Sequence, residues 1–338
     1  MSDQPASENV IDLARKFREA VVKRDMAVLQ DLIETYQSMY ATLQDKITLL
    51  TDALAMMENP SVGGLRRLDR YKDFIKQVEV ELTKYQNYVE IQIRKAVSEE
   101  VLAGTTDARR LVMALGDEAV ISGRWNNLNP SVIETVLGFT REDGALFKRL
   151  EKLAQTTAKS VANALVENIG LGKNPRTIAS IITKQMGVAL TDALRMTRTV
   201  QVYSYREANR ASYIANSDVV TGWYWMSALD AETCTACIAM HGTFHTNDET
   251  LDDHYNGMCT MIPAVIGGKS PLEQTGEDWF KAQPEEKQRQ YMGDTKYEAW
   301  KEGKFEFSAL SSQHDDDVYG TMRGETSLKD LIGASNGD

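Results

Sequence analysis

Hydrophobic residues in the first third of the chain recur at alternating steps of three and four residues. One such series spans 26–57, a second spans 68–89, and a turn-forming segment separates them at 58–64. This spacing is typical of a coiled-coil seam, and a short connection makes two paired helices antiparallel. We therefore predict an antiparallel coiled-coil hairpin over 9–105. The seam positions are Met26, Leu29, Ile33, Tyr36, Tyr40, Leu43, Ile47, Leu50, Leu54 and Met57, then Leu68, Tyr71, Ile75, Val78, Leu82, Tyr85 and Val89.

The segments on either side of the hairpin lack this periodicity. Residues 1–8 are small and polar, and we expect them to be disordered. Several glycines and Pro130 interrupt the pattern between 104 and 138. We predict short helices over 106–116 and 130–138, within a connector that spans 106–143. The hairpin itself is interpreted as structural, and the alternative is an arm that docks onto another subunit.

Residues 144–216 return to helical periodicity and predict three helices. Asn174 and Pro175 are typical of an N-cap and a first helical position, and they begin the second helix. Gly187 is expected to end it, and a third helix follows near 190–215. This third helix carries a cluster of arginines, interpreted as a solvated face with local ion pairs; the alternative is contact with nucleic acid. The arginines are Arg195, Arg198, Arg206 and Arg210.

The pattern changes to β-favouring residues at 219–229, which predicts a strand. Trp223 and Trp225 are two residues apart, so they share a strand face, and we predict that they pack in the core.

Residues 266–338 predict a helical C-terminal extension with an acidic loop at 313–317. The expected fold class is mainly α with a small α+β domain: helical hairpin, helical bundle, Cys/His segment and helical tail.

Composition restricts the functional classes. The net charge of −11 weighs against non-specific binding to duplex nucleic acid. No apolar run approaches the roughly 20 residues of a membrane span, and the N-terminus does not resemble a secretory signal. Three cysteines do not make a secreted disulfide framework. We expect a protein made and kept in a reducing cytoplasm, or in a particle assembled there.

Chemistry-bearing residues concentrate in one segment, 222–263, which holds all three cysteines and three of the four histidines. The order Cys234-x-x-Cys237, His254, Cys259 is compatible with a tetrahedral Cys3His zinc site, because two thiolates two residues apart reach one ion from one turn. We call residues 234–259 the knuckle. His241 and His245 are further candidates for the fourth ligand, and the alternative is a metal-free cluster of buried thiols and histidines.

An enzymatic interpretation pairs Cys234 or Cys259 with His254, oriented by Asp252 or Asp253. The sequence shows no nucleophile elbow, P-loop, dinucleotide-binding glycine motif or H-E-x-x-H motif. We therefore predict no catalytic residues, no cofactor other than structural zinc and no small-molecule substrate.

Several motifs in order resemble the phage Mu F-like minor head proteins, also called phage head morphogenesis proteins, over roughly 145–265. They are the helix pair before Pro175, MTRTVQVYSYREANRASY, GWYWMSALD, the Thr233-Cys234-x-x-Cys237 turn, His241-Gly242-Thr243, and a late His-x-Asn plus Cys before Ile262-Pro263. The tail resembles the extension that many such proteins carry. The resemblance implies that 144–265 is a head morphogenesis domain.

The resemblance also implies a non-enzymatic virion component that assists head assembly, DNA packaging or DNA delivery. Its implied partners are the portal or the major capsid protein, with no membrane, and its implied location is the virion, after assembly in the host cytoplasm. Two departures are evident. Many relatives end in His-x-x-Cys-Arg-Cys, whereas this chain has one cysteine there, Cys259, and Val200 follows Arg198-Thr199 where a glutamate is frequent.

Overall fold

The computed structural model describes residues 9–56, 62–67, 69–116, 121, 123–128, 144–170 and 173–334. Its helices are α1 (Val10–Ala55), α2 (Val62–Arg67), α3 (Asp69–Leu115), α4 (Ala145–Gly170), α5 (Pro175–Ala215), α6 (Thr235–Met240), α7 (Gly276–Lys281), α8 (Glu285–Met292), α9 (Asp294–Lys301) and α10 (Leu328–Ala334). Its strands are β1 (Val220–Met226), β2 (Phe244–Thr246), β3 (Thr260–Val265), β4 (Ser311–Asp316) and β5 (Gly320–Glu325). This confirms the mainly α class with a small α+β part.

The chain divides into two compact units. The first takes its described residues from Met1–Lys23, Val97–Leu137 and Gln201–Asp338, and the second from Arg24–Ala96 and Gly138–Val200. The domain boundaries expected from the sequence stay a prediction. No helix in the described part of the chain is long and apolar enough to span a membrane.

In the second unit, α1 and α3 pair antiparallel, as predicted. Tyr88 donates a hydrogen bond to Asp31, and the rings of Tyr36 and Tyr85 meet edge to face at 5.0 Å, so ascending numbers on α1 meet descending numbers on α3. The seam differs in detail from the expected one. Met26 is 61% exposed, and the buried position beside it is Asp25, which pairs with Arg198 of α5 at 2.7 Å.

Two helix boundaries expected from glycine are wrong. Residues 106–115 of the segment 106–116 are the C-terminal part of the continuous helix α3, and α5 runs without a break through Gly187. A glycine inside a helix costs only about 1 kcal/mol, which the packing of a 41-residue helix offsets.

The Asn174 cap is confirmed, because its side chain accepts the backbone N–H of Thr177 at 2.9 Å. The expected helix over 130–138 and the disorder of 1–8 fall outside the described residues. The predicted turn at 58–64 lies outside them up to residue 61, and it is wrong for residues 62–64, which begin the helix α2.

In the first unit, β1 is the centre of a three-stranded antiparallel sheet with the order β2-β1-β3. Trp223 pairs with His245 of β2, and Trp225 pairs with Met261 of β3. Both tryptophans are fully buried and share one core cluster with Cys237 and Cys259, which confirms the predicted core packing. The sheet therefore anchors the segment that carries the cysteines.

The C-terminal segment begins with three short helices, α7 to α9. Phe280, Met292, Tyr297, Phe307 and Leu310 form their core with Ile238 of α6. The expected acidic loop at 313–317 is wrong over most of its length, because β4 includes residues 313–316 and pairs with β5 in an antiparallel hairpin.

Candidate metal centre

The two cysteines of the Cys-x-x-Cys motif lie at the N-terminal end of α6. Cys234 is the N-cap residue, and its Sγ accepts the backbone N–H of Cys237 at 3.4 Å. A cap residue and the third helical residue lie on the same side of the first turn, so both sulfurs face one point. The motif thereby presents two sulfur ligands from one rigid element.

His254 supplies a nitrogen to the same point. Its Nε2 lies 3.3 Å from Cys234 Sγ and 3.4 Å from Cys237 Sγ. Its Nδ1 lies 2.8 Å from the carbonyl oxygen of Tyr255, and a carbonyl only accepts, so Nδ1 carries the hydrogen. A metal-ligating histidine typically donates its other ring N–H to such an acceptor. In its neutral form His254 therefore presents the Nε2 lone pair to the two sulfurs.

Cys259, just before β3, is the remaining predicted ligand. It is buried, and its Sγ lies 3.4 Å from the hydroxyl of Ser227. The ligand atoms form two groups, each within 4.8 Å: Cys234, Cys237 and His254 in one, and Cys237, Asp253 and Cys259 in the other. Cys237 belongs to both groups and links all four predicted ligands.

The electrostatics of this cluster favour a thiolate beside an imidazolium. The Cys237 thiol, by hydrogen bonding, lowers the pKa of Cys234 to about 5. The hydrogen bond to Cys234 raises the pKa of His254 to about 10. The pKa of Cys237 is raised, first by its hydrogen bond to Cys234 and then by Cys259. Cys237 therefore keeps its proton in this arrangement, and a metal would have to displace both that proton and the Nε2 proton of His254.

Asp253 and Arg206 support the cluster from inside the protein. Asp253 Oδ1 accepts the Cys237 thiol at 3.3 Å and the backbone N–H of His254 at 2.9 Å, and Oδ2 accepts the N–H of Cys259 at 3.2 Å. Burial is the largest single influence on Asp253 and opposes its ionisation. The Arg206 guanidinium, 2.8 Å away, together with His254 and the hydrogen bonds from Cys259 and Cys237, still lowers the pKa of Asp253. One carboxylate thus fixes three of the predicted ligands.

Arg206 continues this support along the loop before β3. Its Nε donates to the carbonyl of Cys259 at 2.9 Å, and its Nη2 donates to the carbonyl of Gly257 at 3.1 Å. A Cβ on Gly257 would lie 2.1 Å from Asp253 Oδ2, so only glycine fits there without moving the carboxylate. The loop approaches Asp253 this closely because it has no side chain at residue 257.

The two further histidine candidates lie in other environments. His241 Nδ1 accepts the backbone N–H of Ser227 at 3.1 Å, and burial lowers the pKa of His241 to about 4. His245 stacks on Trp223 at 4.3 Å and contacts Thr243 and Glu249. Neither histidine belongs to a ligand group among the described residues.

Each of the four arginines considered for nucleic-acid contact pairs with a carboxylate. The partners are Asp192 for Arg195, Asp25 for Arg198, Asp253 for Arg206 and Glu207 for Arg210. Arg206 is only 5% exposed. Nucleic-acid contact by these residues stays a prediction, and the supporting role of Arg206 was not predicted. In the sequence, the only indication of that role is that Arg206 lies among the buried positions of an Ala- and Tyr-rich helix.

Cys234, Cys237 and His254 fit a zinc ion, and Cys259 is connected to this group only through Cys237. Tetrahedral zinc with Zn–S bonds of about 2.3 Å and Zn–N bonds of about 2.0 Å holds its ligand atoms roughly 3.5 Å apart. The observed sulfur–nitrogen distances of 3.3 and 3.4 Å are close to this. Cys259 is a better fourth ligand than Asp253, because both carboxylate oxygens already accept hydrogen bonds.

The Cys–His–Asp arrangement of the enzymatic interpretation is not formed among the described residues. In a Cys–His–Asp triad the carboxylate orients the ring nitrogen that faces away from the sulfur. Here that nitrogen, Nδ1, contacts the Tyr255 carbonyl, while Asp253 binds Arg206 and Asp252 binds Arg323.

These features define a small α+β domain in which a Cys/His cluster joins a helix N-terminus to a three-stranded sheet. Residues 159–264 match a family model described as phage Mu protein F like protein, which confirms the resemblance carried by the sequence motifs. The match begins within α4, ends within β3 and includes all four predicted ligands. No curated protein and no solved structure matches the chain.

Proposed function

We propose that this chain is a minor head protein of a tailed bacteriophage, with a structural and not an enzymatic role. The observation that carries the proposal is the match of residues 159–264 to the phage Mu protein F like model. The protein would associate with the portal or the major capsid protein and assist head assembly, DNA packaging or DNA delivery. It would act in the host cytoplasm during assembly and remain in the virion.

The geometry is compatible with this role. The inner part of the Cys/His cluster is buried: Cys237, Cys259 and Asp253 are each at most 6% exposed, whereas Cys234 and His254 are half-buried. Buried thiols of this kind stabilise a fold more readily than they reach a substrate. The long helices α1 and α3 supply extended surfaces of the kind that docking to a larger assembly requires.

The test of this role uses the phage that encodes the chain. Deletion of the coding sequence should abolish infectious heads, and expression of the chain in trans should restore them. Purified heads should contain the chain at a fixed ratio to the major capsid protein, measured by quantitative mass spectrometry. Infectious heads that form without the chain would contradict the proposal.

We further propose that Cys234, Cys237, His254 and Cys259 bind one structural zinc ion. Zinc would link α6 to the loop before β3, two elements that are about twenty residues apart in sequence. Because the ligands converge only in the folded state, the binding free energy would contribute to folding. Asp253 and Arg206 would hold the ligands in place, which is the role of outer-shell groups at metal sites.

Metal content tests this second proposal directly. The chain is expressed in the cytoplasm without added metal, purified, and analysed for zinc by elemental analysis. We expect about one zinc per chain, and its loss in Cys234→Ser. A metal-free wild-type protein would contradict the proposal.

One observation favours a second candidate, a cysteine-dependent activity: His254 Nε2 lies 3.3 Å from Cys234 Sγ, close enough to activate a thiol. Alkylation separates the two. A zinc-bound Cys234 should resist iodoacetamide until a chelator is added, whereas an activated nucleophile should react at once in the protein as purified. The second result would favour the enzymatic candidate.

A further inference from the structure

The hairpin β4–β5 lies outside the segment matched by the family model, and yet it binds the knuckle. Asp252 is its main contact. Arg323 of β5 donates to both carboxylate oxygens of Asp252, with Nε–Oδ1 at 2.9 Å and Nη2–Oδ2 at 3.2 Å. Gln313 of β4 adds a third bond, Nε2–Oδ2 at 2.6 Å. Both strands of the hairpin therefore bind the same carboxylate, that of Asp252.

Burial makes this contact more than a surface ion pair. The side chain of Asp252 is 5% exposed and that of Arg323 is 17% exposed. A two-bond Arg–carboxylate pair also fixes an orientation, because the planar guanidinium and the carboxylate align. Asp252 is thus held in both position and direction.

Asp252 directly precedes the residues of the metal cluster. Asp252 binds the hairpin, Asp253 binds Arg206 of α5, and the ring of His254 faces the two cysteines. Each of these three consecutive side chains therefore has a partner outside the loop, and Asp253 and His254 both contact Cys237. The hairpin, through Asp252, and Arg206, through Asp253, together fix the position of the His254 backbone.

The hairpin also contacts the element that carries the cysteines. Glu325 of β5 accepts the backbone N–H of Thr235 at 2.8 Å and its hydroxyl at 2.7 Å. Thr235 follows Cys234, so Glu325 fixes the first turn of α6. A third contact joins Tyr255, next to His254, to Asp316 by a hydrogen bond and to Tyr319 by an edge-to-face ring contact at 5.8 Å.

We propose that the hairpin β4–β5 positions the ligands of the metal centre, with Arg323 and Glu325 as positioning residues for His254 and Cys234. This inference rests on the proposed zinc site. The hairpin touches no ligand atom among the contacts described; it acts through Asp252 and Thr235. Without the hairpin, the cysteines and the histidine would still be present. The turn that carries Cys234 would lose its hydrogen bonds to Glu325, and the loop that carries His254 would lose the ion pair with Arg323.

The test measures zinc affinity in the full chain by competition with a chromophoric chelator. The variants are Arg323→Gln, Glu325→Gln and the pair together. Each single change should weaken zinc binding about 10-fold, and the pair more, which is the usual effect of removing an outer-shell group. Arg289→Gln is the matched control, because Arg289 pairs with Glu285 and Glu298 in the same C-terminal segment but not with the knuckle.

A second readout separates positioning from loss of structure. Cobalt(II) replaces zinc, and its absorption spectrum reports tetrahedral coordination. Arg323→Gln should change this spectrum while far-ultraviolet circular dichroism stays as in the wild type. Wild-type zinc affinity in both single variants would overturn the positioning role and leave the zinc site standing. Absence of zinc from the wild-type chain would instead overturn the zinc site and this inference with it.

Discussion

The helical pair of the second unit and the knuckle of the first unit are stabilised in opposite ways. The pair α1–α3 buries a repeating apolar stripe that includes Leu32, Leu43 and Val89, each at most 1% exposed. The knuckle instead depends on a few polar contacts between residues that are distant in sequence, such as Arg206 with Asp253. The apolar stripe spreads its contribution to the free energy of unfolding over many similar side chains. In the knuckle, that contribution depends on a few hydrogen bonds and ion pairs between particular atoms.

The largest loss of stability should follow from removing Cys237, the predicted ligand that belongs to both groups of ligand atoms. Cys237→Ser should abolish zinc binding and lower the free energy of unfolding of the first unit by about 5 kcal/mol or more, because metal binding contributes directly to folding. Urea unfolding monitored by tryptophan fluorescence measures this. Chelation of zinc from the wild type should reproduce the loss; a Cys237→Ser midpoint equal to that of the wild type would contradict it.

Removal of the buried guanidinium should come next. Arg206→Met leaves Asp253 charged and without its cation, and such a change costs about 3–5 kcal/mol. Arg195→Met is the control, because its pair with Asp192 is partly exposed and worth about 0–1 kcal/mol. Both values come from urea unfolding. Equal losses in the two variants would show that burial of the Arg206 pair does not matter.

Two seam variants of α1 sharpen the contrast with the knuckle. Leu32→Ala should cost about 3 kcal/mol, because Leu32 is fully buried. Met26→Ala should cost under about 0.5 kcal/mol, because Met26 is 61% exposed although the heptad spacing places it in the seam. The measurement is thermal or urea unfolding monitored by helical circular dichroism. A larger loss for Met26→Ala would restore the seam expected from spacing alone.

The pH dependence of the first unit provides a smaller effect. His241 has a folded pKa of about 4, against an ordinary value of 6.5, because it is buried. Between these values the unfolded chain binds a proton that the folded chain does not, so stability is complete above pH 6.5 and falls as the pH drops to 4. The loss is at most about 3 kcal/mol. In His241→Gln the slope of stability against pH in this window should decrease by one proton; an unchanged slope would exclude His241 as its source.

The smallest effect is expected for nucleic acid. Because Arg198 and Arg210 each pair with a carboxylate, Arg198→Gln and Arg210→Gln should leave any binding to duplex DNA and its salt dependence unchanged. Fluorescence anisotropy with a labelled duplex at low salt measures this. A steep salt dependence that is lost in these variants would support the nucleic-acid role predicted from the arginine cluster.

Local chemistry made some parts of the molecule predictable from sequence. The Asn174 cap, the Cys-x-x-Cys turn and the shared face of Trp223 and Trp225 each depend on residues within a few positions of one another. The antiparallel helical pair was predictable because one period repeats over many turns. Zinc coordination by the four residues remains a proposal.

Other features depend on contacts that no local pattern reveals. Asp25 fills a seam position because Arg198, 173 residues away, pairs with it. The acidic sequence of β4 favours a loop, but residues 313–316 form a strand that pairs with β5, and Gln313 contacts Asp252, 61 residues away. Gly187 indicates a helix end in isolation, yet the packed helix continues through it.

The three consecutive residues Asp252, Asp253 and His254 have a consequence for how this chain can diverge. A single inserted or deleted residue would rotate all three side chains away from their partners at once. Length changes among relatives should therefore be absent from 251–259 and accumulate in exposed connections such as 267–270. Where such a change does enter the loop, we expect the cysteines, Arg206 and the hairpin contacts to be lost together, as one inherited unit.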